Sequence, residues 1–170
     1  MKKFFLLLVA VHTAWNVSAQ ELEKQSPVKY QGEVEFGYSL NLETEKMGRF
    51  NLHTIQGIRI GEHFSTGIGT GLDYYHNTIA GGELVVPIYV NMKGYLPKFE
   101  NIQPFLSMDM GMGFGVTEDI KKMSGGTYGF AIGVVGGKFK AQIGYNIQSV
   151  TEEGAGIYYK AIQFKFGFMF

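Results

Sequence analysis

The chain has no cysteine, a single tryptophan and only four prolines in 170 residues. Without cysteine there is no disulfide to reinforce a small core and no thiolate for metal or redox chemistry. Lysine plus arginine and aspartate plus glutamate number 15 each. A protein that grips nucleic acid by its phosphates needs a basic excess, which this balance lacks. Long apolar runs are missing too. The longest, Phe4–Val11, is far short of the roughly 20 residues a spanning helix requires, so no transmembrane helix is expected.

What the chain does have is glycine, 24 residues, and aromatics, at 15%. The mean hydropathy is near zero, a value ordinarily read as soluble. Strands that alternate apolar and polar residues also average to zero, however, so the mean does not separate a soluble protein from a membrane barrel. Alternation decides the matter. The last nine residues place Ile162, Phe164, Phe166, Phe168 and Phe170 at even positions, with Gln163, Lys165 and Gly167 between them. A period of two puts all five apolar side chains on one face of a strand. A wall of phenylalanines requires an apolar medium to cover it.

Seven earlier segments repeat the pattern. The first runs from about Gln31 to Glu43, with Val34, Phe36, Tyr38, Leu40 and Leu42 opposite Glu33, Glu35, Gly37, Ser39 and Asn41. The second sets Phe50, Leu52, Ile58 and Ile60 against Asn51, His53, Gly57 and Arg59; the third sets Ile68, Leu72 and Tyr74 against Gly67, Gly69, Gly71 and Asp73. The fourth to seventh segments, from Glu83, Ile102, Thr127 and Phe139 onward, behave alike. Each has one face of large apolar side chains and one of glycine, amides and charges. A soluble sandwich buries the apolar face. Here the glycine-rich, charged face is the narrow one, which predicts an all-β, eight-stranded antiparallel up-and-down transmembrane β-barrel with its polar face inside. Ten-residue strands at about 3.3 Å rise and roughly 40° tilt span an apolar band of ~25 Å.

Connections are expected to alternate between short (Gly61–His63, Pro97–Glu100, Gly136-Gly137) and long (around Thr44–Gly48, His76–Gly82, Thr117–Gly126 and Thr151–Gly156), the arrangement of periplasmic turns and extracellular loops. Gly136-Gly137 reads as a primed two-residue turn with positive φ at both positions, pairing Val134 with Phe139 and Gly133 with Lys140. Aromatics are expected to form two interfacial girdles, Phe64, Tyr95, Phe99, Phe139 and Phe170 at the short-turn end and Phe50, Tyr74, Tyr75, Phe114, Tyr128, Tyr158 and Tyr159 at the other.

An eight-stranded barrel is just wide enough for its own side chains. The inward charges Glu33, Glu35, Arg59, Asp73, Lys93, Asp109, Lys140 and Lys165 must therefore pair with one another, with Glu33 set across the first hairpin from Arg59 and Lys165 brought beside the first strand by closure. Tyr89 is expected to lie over Gly69. No catalytic, cofactor or metal site is expected. Gly67-Ile-Gly-Thr-Gly71 lacks the third glycine of a dinucleotide loop and continues a strand. His53 faces inward, His63 falls in a short turn and His76 in a loop, without metal-ligand spacing between them.

The N-terminus carries Lys2-Lys3, the apolar run Phe4–Val11 and Val17-Ser18-Ala19, the three regions of a secretory signal peptide. The domain reading is a signal peptide over 1–19, a flexible periplasmic segment over 20–29 and the barrel over 30–170. The terminal strand resembles that of bacterial outer-membrane barrels, and the resemblance implies that Phe166, Phe168 and Phe170 form the signal read by the barrel-assembly machinery. The whole mature chain resembles the OmpA/OmpX-type eight-stranded barrels and, in its glycine-rich strands, the outer-membrane β-barrel domain family of Bacteroidetes-like bacteria. That implies a place in the bacterial outer membrane, in contact with its lipid and lipopolysaccharide, and an extracellular or membrane protein partner but no nucleic acid. The implied role is non-enzymatic, structural or surface-interacting through extracellular loops. The alternatives are a lipid A-modifying enzyme and an accessory component of a secretion or assembly complex.

Overall fold

The computed structural model describes residues 27–42, 48–78, 81–116, 125–152 and 155–170. The signal-peptide reading therefore lies outside the described residues, as does the N-terminal segment up to residue 26. The described chain forms eight strands: β1 (Val28–Asn41), β2 (Gly48–Ile60), β3 (Phe64–Thr78), β4 (Gly81–Tyr95), β5 (Ile102–Gly115), β6 (Gly125–Gly136), β7 (Phe139–Glu152) and β8 (Ala155–Met169). Each pairs antiparallel with the next, and β1 pairs with β8 to close the barrel. The strand begins two residues before the expected domain boundary at residue 30.

Closure reaches the last residue. Gly32 donates from its N–H to the Phe170 carbonyl at 2.8 Å and accepts from the Phe170 N–H at 2.9 Å. A closed sheet leaves no strand edge unpaired along this seam, so the backbone is hydrogen-bonded without water. Side chains then sort by parity: in β1, Val34, Phe36 and Leu40 are exposed while Glu33, Glu35 and Ser39 are buried. In β8, Phe164, Phe166 and Phe168 stand outward and Gln163, Lys165 and Gly167 point in. The polarity is that of a transmembrane barrel, apolar outside and polar inside.

Several details differ from the sequence reading. Only Gly137 of the Gly136-Gly137 pair has positive φ, 61°; the turn residues are Gly137 and Lys138, because Gly136 pairs with Phe139. A primed turn with glycine at its first central position needs only that one left-handed residue. Val134 consequently pairs with Ala141 and Val135 with Lys140. Two of the expected long connections are mostly strand, since β3–β4 pairing runs to Thr78↔Gly81 and β7–β8 pairing to Glu152↔Ala155. Among the described residues the β7–β8 ladder extends beyond those of its neighbours, which reach Thr127↔Gln148 and Asn41↔Ala161. Most of the connections at Thr44–Gly48 and Thr117–Gly126 lies outside the described residues.

The girdles also need correction. Tyr75 and Tyr95, assigned to them above, point inward and are buried. Tyr95 packs with Phe105, Val135 and Met169 into an apolar cluster inside the barrel, near the short-turn end. Phe105 is 1% exposed. His76 is not in a loop but in β3, on the outer wall, with its Nε2 2.7 Å from the Tyr38 hydroxyl.

Candidate functional site

The site is the barrel interior. Glycines on the inward face make room for it: a Cβ on Gly69 would run into the Tyr89 ring, so the ring lies on bare backbone as expected. Glu33 and Glu35 of β1 stand two residues apart on that inward face. Lys140 of β7 donates to both carboxylates. Lys93 of β4 donates to the two Glu33 oxygens at 2.9 and 3.0 Å and to the Asn91 Oδ1 at 2.7 Å. Lys165 of β8 lies 3.5 Å from the other Glu35 oxygen. Two carboxylates are thus enclosed by three ammonium groups from three further strands. Lys93 and Glu33 are each 1% exposed. At such burial a charge is tolerable only when paired and hydrogen-bonded throughout, which this network achieves.

A second centre lies nearer the long-connection end. Asp73 of β3 accepts from the Asn51 amide and sits 3.0 Å from His53 Nε2 and 3.6 Å from Arg49 Nη1. Arg49 further donates to the Tyr75 hydroxyl at 2.7 Å, to Gln148 Oε1 at 3.0 Å and to Asn146 Oδ1 at 2.9 Å. The His53 ring joins the two centres, its Nδ1 lying 3.1 Å from the Tyr89 hydroxyl and 3.4 Å from Lys165 Nζ. Toward the short-turn end, Gln31 Nε2 donates to Glu33 at 2.7 Å and to the Tyr95 hydroxyl at 2.9 Å.

Of the expected interior charges, Glu33, Glu35, Lys93, Lys140 and Lys165 are brought together, and Asp73 belongs to the neighbouring centre. Asp109 accepts from the Asn91 amide. Arg59 is elsewhere: Glu33 pairs with Ile55 and Arg59 with Lys29 in the β1–β2 register, so the expected Glu33–Arg59 contact does not form. Its guanidinium instead lies 4.0 Å over the Tyr95 ring and donates to Gln103 and the Glu62 carbonyl at the short-turn mouth. That mouth is a cavity of about 780 Å³ lined by Lys29, Arg59, Glu62, Lys98, Glu100 and Gln103 among others. Arg49 was not among the expected charges, although its odd number in β2 already placed it on the inward face.

Phe166, Phe168 and Phe170 are all exposed on the outer wall. Phe166 stacks on Phe36 at 5.9 Å and Phe168 on Phe170 at 6.4 Å. Among the described residues no group of three or more histidine, aspartate or glutamate side chains has metal-site geometry. The His76 ring contacts Tyr38 and Phe50 on the outer wall.

No protein-family model matches the chain, and no curated protein matches it in sequence. Among solved structures it is similar to the crystal structure of Neisserial surface protein A (NspA), with a TM-score of 0.58 and 10% identity over 85% of this chain and 96% of that one. A structure described as de novo design of transmembrane beta-barrels aligns with TM-score 0.48 at 8% identity, over 87% and 99% of the two chains. At such identities the likeness to NspA is one of fold: a closed, eight-stranded, all-antiparallel β-barrel.

Proposed function

We propose that the protein is a non-enzymatic, integral outer-membrane β-barrel whose interior is a fixed plug of paired charges and whose role is structural or surface-interacting, exercised at the long-connection end. One observation carries the reading. The outer wall exposes Phe36, Leu52, Ile68, Ile132 and Phe166 among many others, while Glu33, Glu35, Lys93 and Lys140 are sealed inside. Only a medium more apolar than water stabilises that inversion. The similarity to NspA supports the membrane-barrel part of this reading.

The assembly signal at Phe166, Phe168 and Phe170, the lipid and lipopolysaccharide contacts and the kinship with OmpA/OmpX-type or Bacteroidetes-type barrels belong to the same proposal. The long β7–β8 ladder, paired to Glu152↔Ala155, supports a role in contact with something beyond the membrane, since recognition is commonly carried by segments that extend from a rigid scaffold. The test is fractionation of cells expressing the full chain. The protein is expected in the outer membrane, migrating on a gel at a different position before and after boiling. Recovery from the soluble periplasm would overturn the proposal.

A further inference from the structure

In the middle of the span, polar side chains on β2 and β3 interrupt the apolar wall. On β2 the outward residues run Phe50, Leu52, Thr54, Gln56, Ile58, Ile60, so that Thr54 and Gln56 have apolar neighbours on both sides along the strand. On β3, Thr70 stands directly opposite Thr54, and Ile68 opposite Gln56. Ile68 is 64% exposed. The interruption therefore sits within a fully presented apolar surface and away from the interfacial ends of the strands.

Two threonine hydroxyls here turn back to their own barrel. Thr54 donates to the Glu33 carbonyl at 3.0 Å, and Thr66 of β3 donates to the Asn91 carbonyl at 3.1 Å. Gln56 differs. It donates one N–H to Thr54 Oγ1 at 2.7 Å and accepts from the Tyr30 hydroxyl. A primary amide has two N–H donors and two acceptor lone pairs. Among the described residues the recorded bonds use one of each, so a second N–H and a second lone pair of this half-exposed, outward-facing side chain carry no recorded bond. Lipid offers neither a partner.

We infer that this face, centred on Gln56 and flanked by Thr54 and Thr70, is the contact surface of a homodimer in the membrane. A group with one free donor and one free acceptor is complementary to itself. Across a two-fold axis each Gln56 N–H meets the Gln56 carbonyl oxygen of the second copy, so one interaction satisfies both. The neighbouring threonines are short, letting the two walls approach, and polar groups facing lipid stabilise association because hydrocarbon gives them no other partner. This inference rests on the membrane reading above.

The absence of native cysteine makes the test direct. Thr70→Cys and, on the opposite wall, Ile132→Cys are each introduced into the full chain, and outer membranes are oxidised. Both variants must first migrate heat-modifiably; failure there would count against the membrane reading rather than against the dimer. Thr70→Cys is expected to give a disulfide-linked species of twice the monomer mass, at least fivefold more than Ile132→Cys gives. Adding Gln56→Leu, which suits lipid and leaves the barrel free to fold, should lower that yield at least fivefold. Equal yields from the two walls, an undiminished yield with Gln56→Leu, or an adduct with a chain of another mass would overturn the dimer.

Discussion

Glu33 shows what single residues contribute to the barrel. Its carboxylate accepts from Lys93, Lys140 and Gln31, donors drawn from two other strands and its own. Removing one cation strands the remaining charges in a dry interior. Lys140→Met, which keeps the volume but leaves Glu33 and Glu35 side by side with less compensation, should cost about 3–5 kcal/mol of stability in a urea titration of the refolded protein. A double variant with Glu35→Gln should lose less than the sum of the two single changes, since the two groups share a network. Gly69 is sensitive for a steric reason. Gly69→Ala would drive a methyl into the Tyr89 ring and should cost about 1–3 kcal/mol, with most of the loss recovered when Tyr89→Leu removes the ring. Which residues face inward was legible from their parity, Glu33, Lys140 and Lys165 included. Which charge meets which was not. Period two fixes a face but not the stagger between strands, and the β1–β2 register carries Arg59 to Lys29 rather than to Glu33.

At the scale of the strand, alternation was clear enough in the sequence to locate all eight elements, because a one-residue slip would turn every phenylalanine of β8 inward. Alternation fails where both faces are apolar. The run Pro104-Phe105-Leu106 offered no polar partner to mark the inside, and Phe105 enters the Tyr95 cluster unannounced. Likewise Thr54 and Gln56 broke the apolar column of β2 while Ile55 filled the interior, 3% exposed. Strand β4 carries Pro87, whose missing N–H is unusual away from a sheet edge. Its ladder to β3 passes from Thr70↔Ile88 to Asp73↔Val85 without pairing Val86 or Pro87, whereas pairing with β5 is continuous there. On the same strand Val90 lies at mid-span on the exposed face. Val90→Arg should therefore cost about 2–4 kcal/mol in refolding into lipid vesicles, and Val90→Leu should be tolerated. Equal stability of the two variants would mean that β4 does not face hydrocarbon.

At the scale of the whole molecule, two features follow from one sequence pattern: a wall that belongs in lipid and a lumen packed with its own charges from Arg49 to Lys93. The interior pairs bridge β1 to β4 and β7, strands with which it shares no backbone ladder, and reinforce the β1–β8 seam, so tying the cylinder across its interior. Eight strands leave no lumen wider than these side chains, and the function proposed above accordingly makes the molecule a platform rather than a conduit. The measurement that tests this most directly is a spin-label scan of β8 in lipid vesicles, one cysteine at a time from Gln163 to Phe168, reading collisions with oxygen and with a water-soluble nickel complex. Phe164, Phe166 and Phe168 are expected to collide freely with oxygen dissolved in the bilayer and rarely with nickel, while Gln163 and Gly167 collide with neither. Nickel access at Gln163 and Gly167 would reveal an open aqueous lumen, and nickel access at the phenylalanine positions would show that the wall does not lie in lipid; either result would contradict the account.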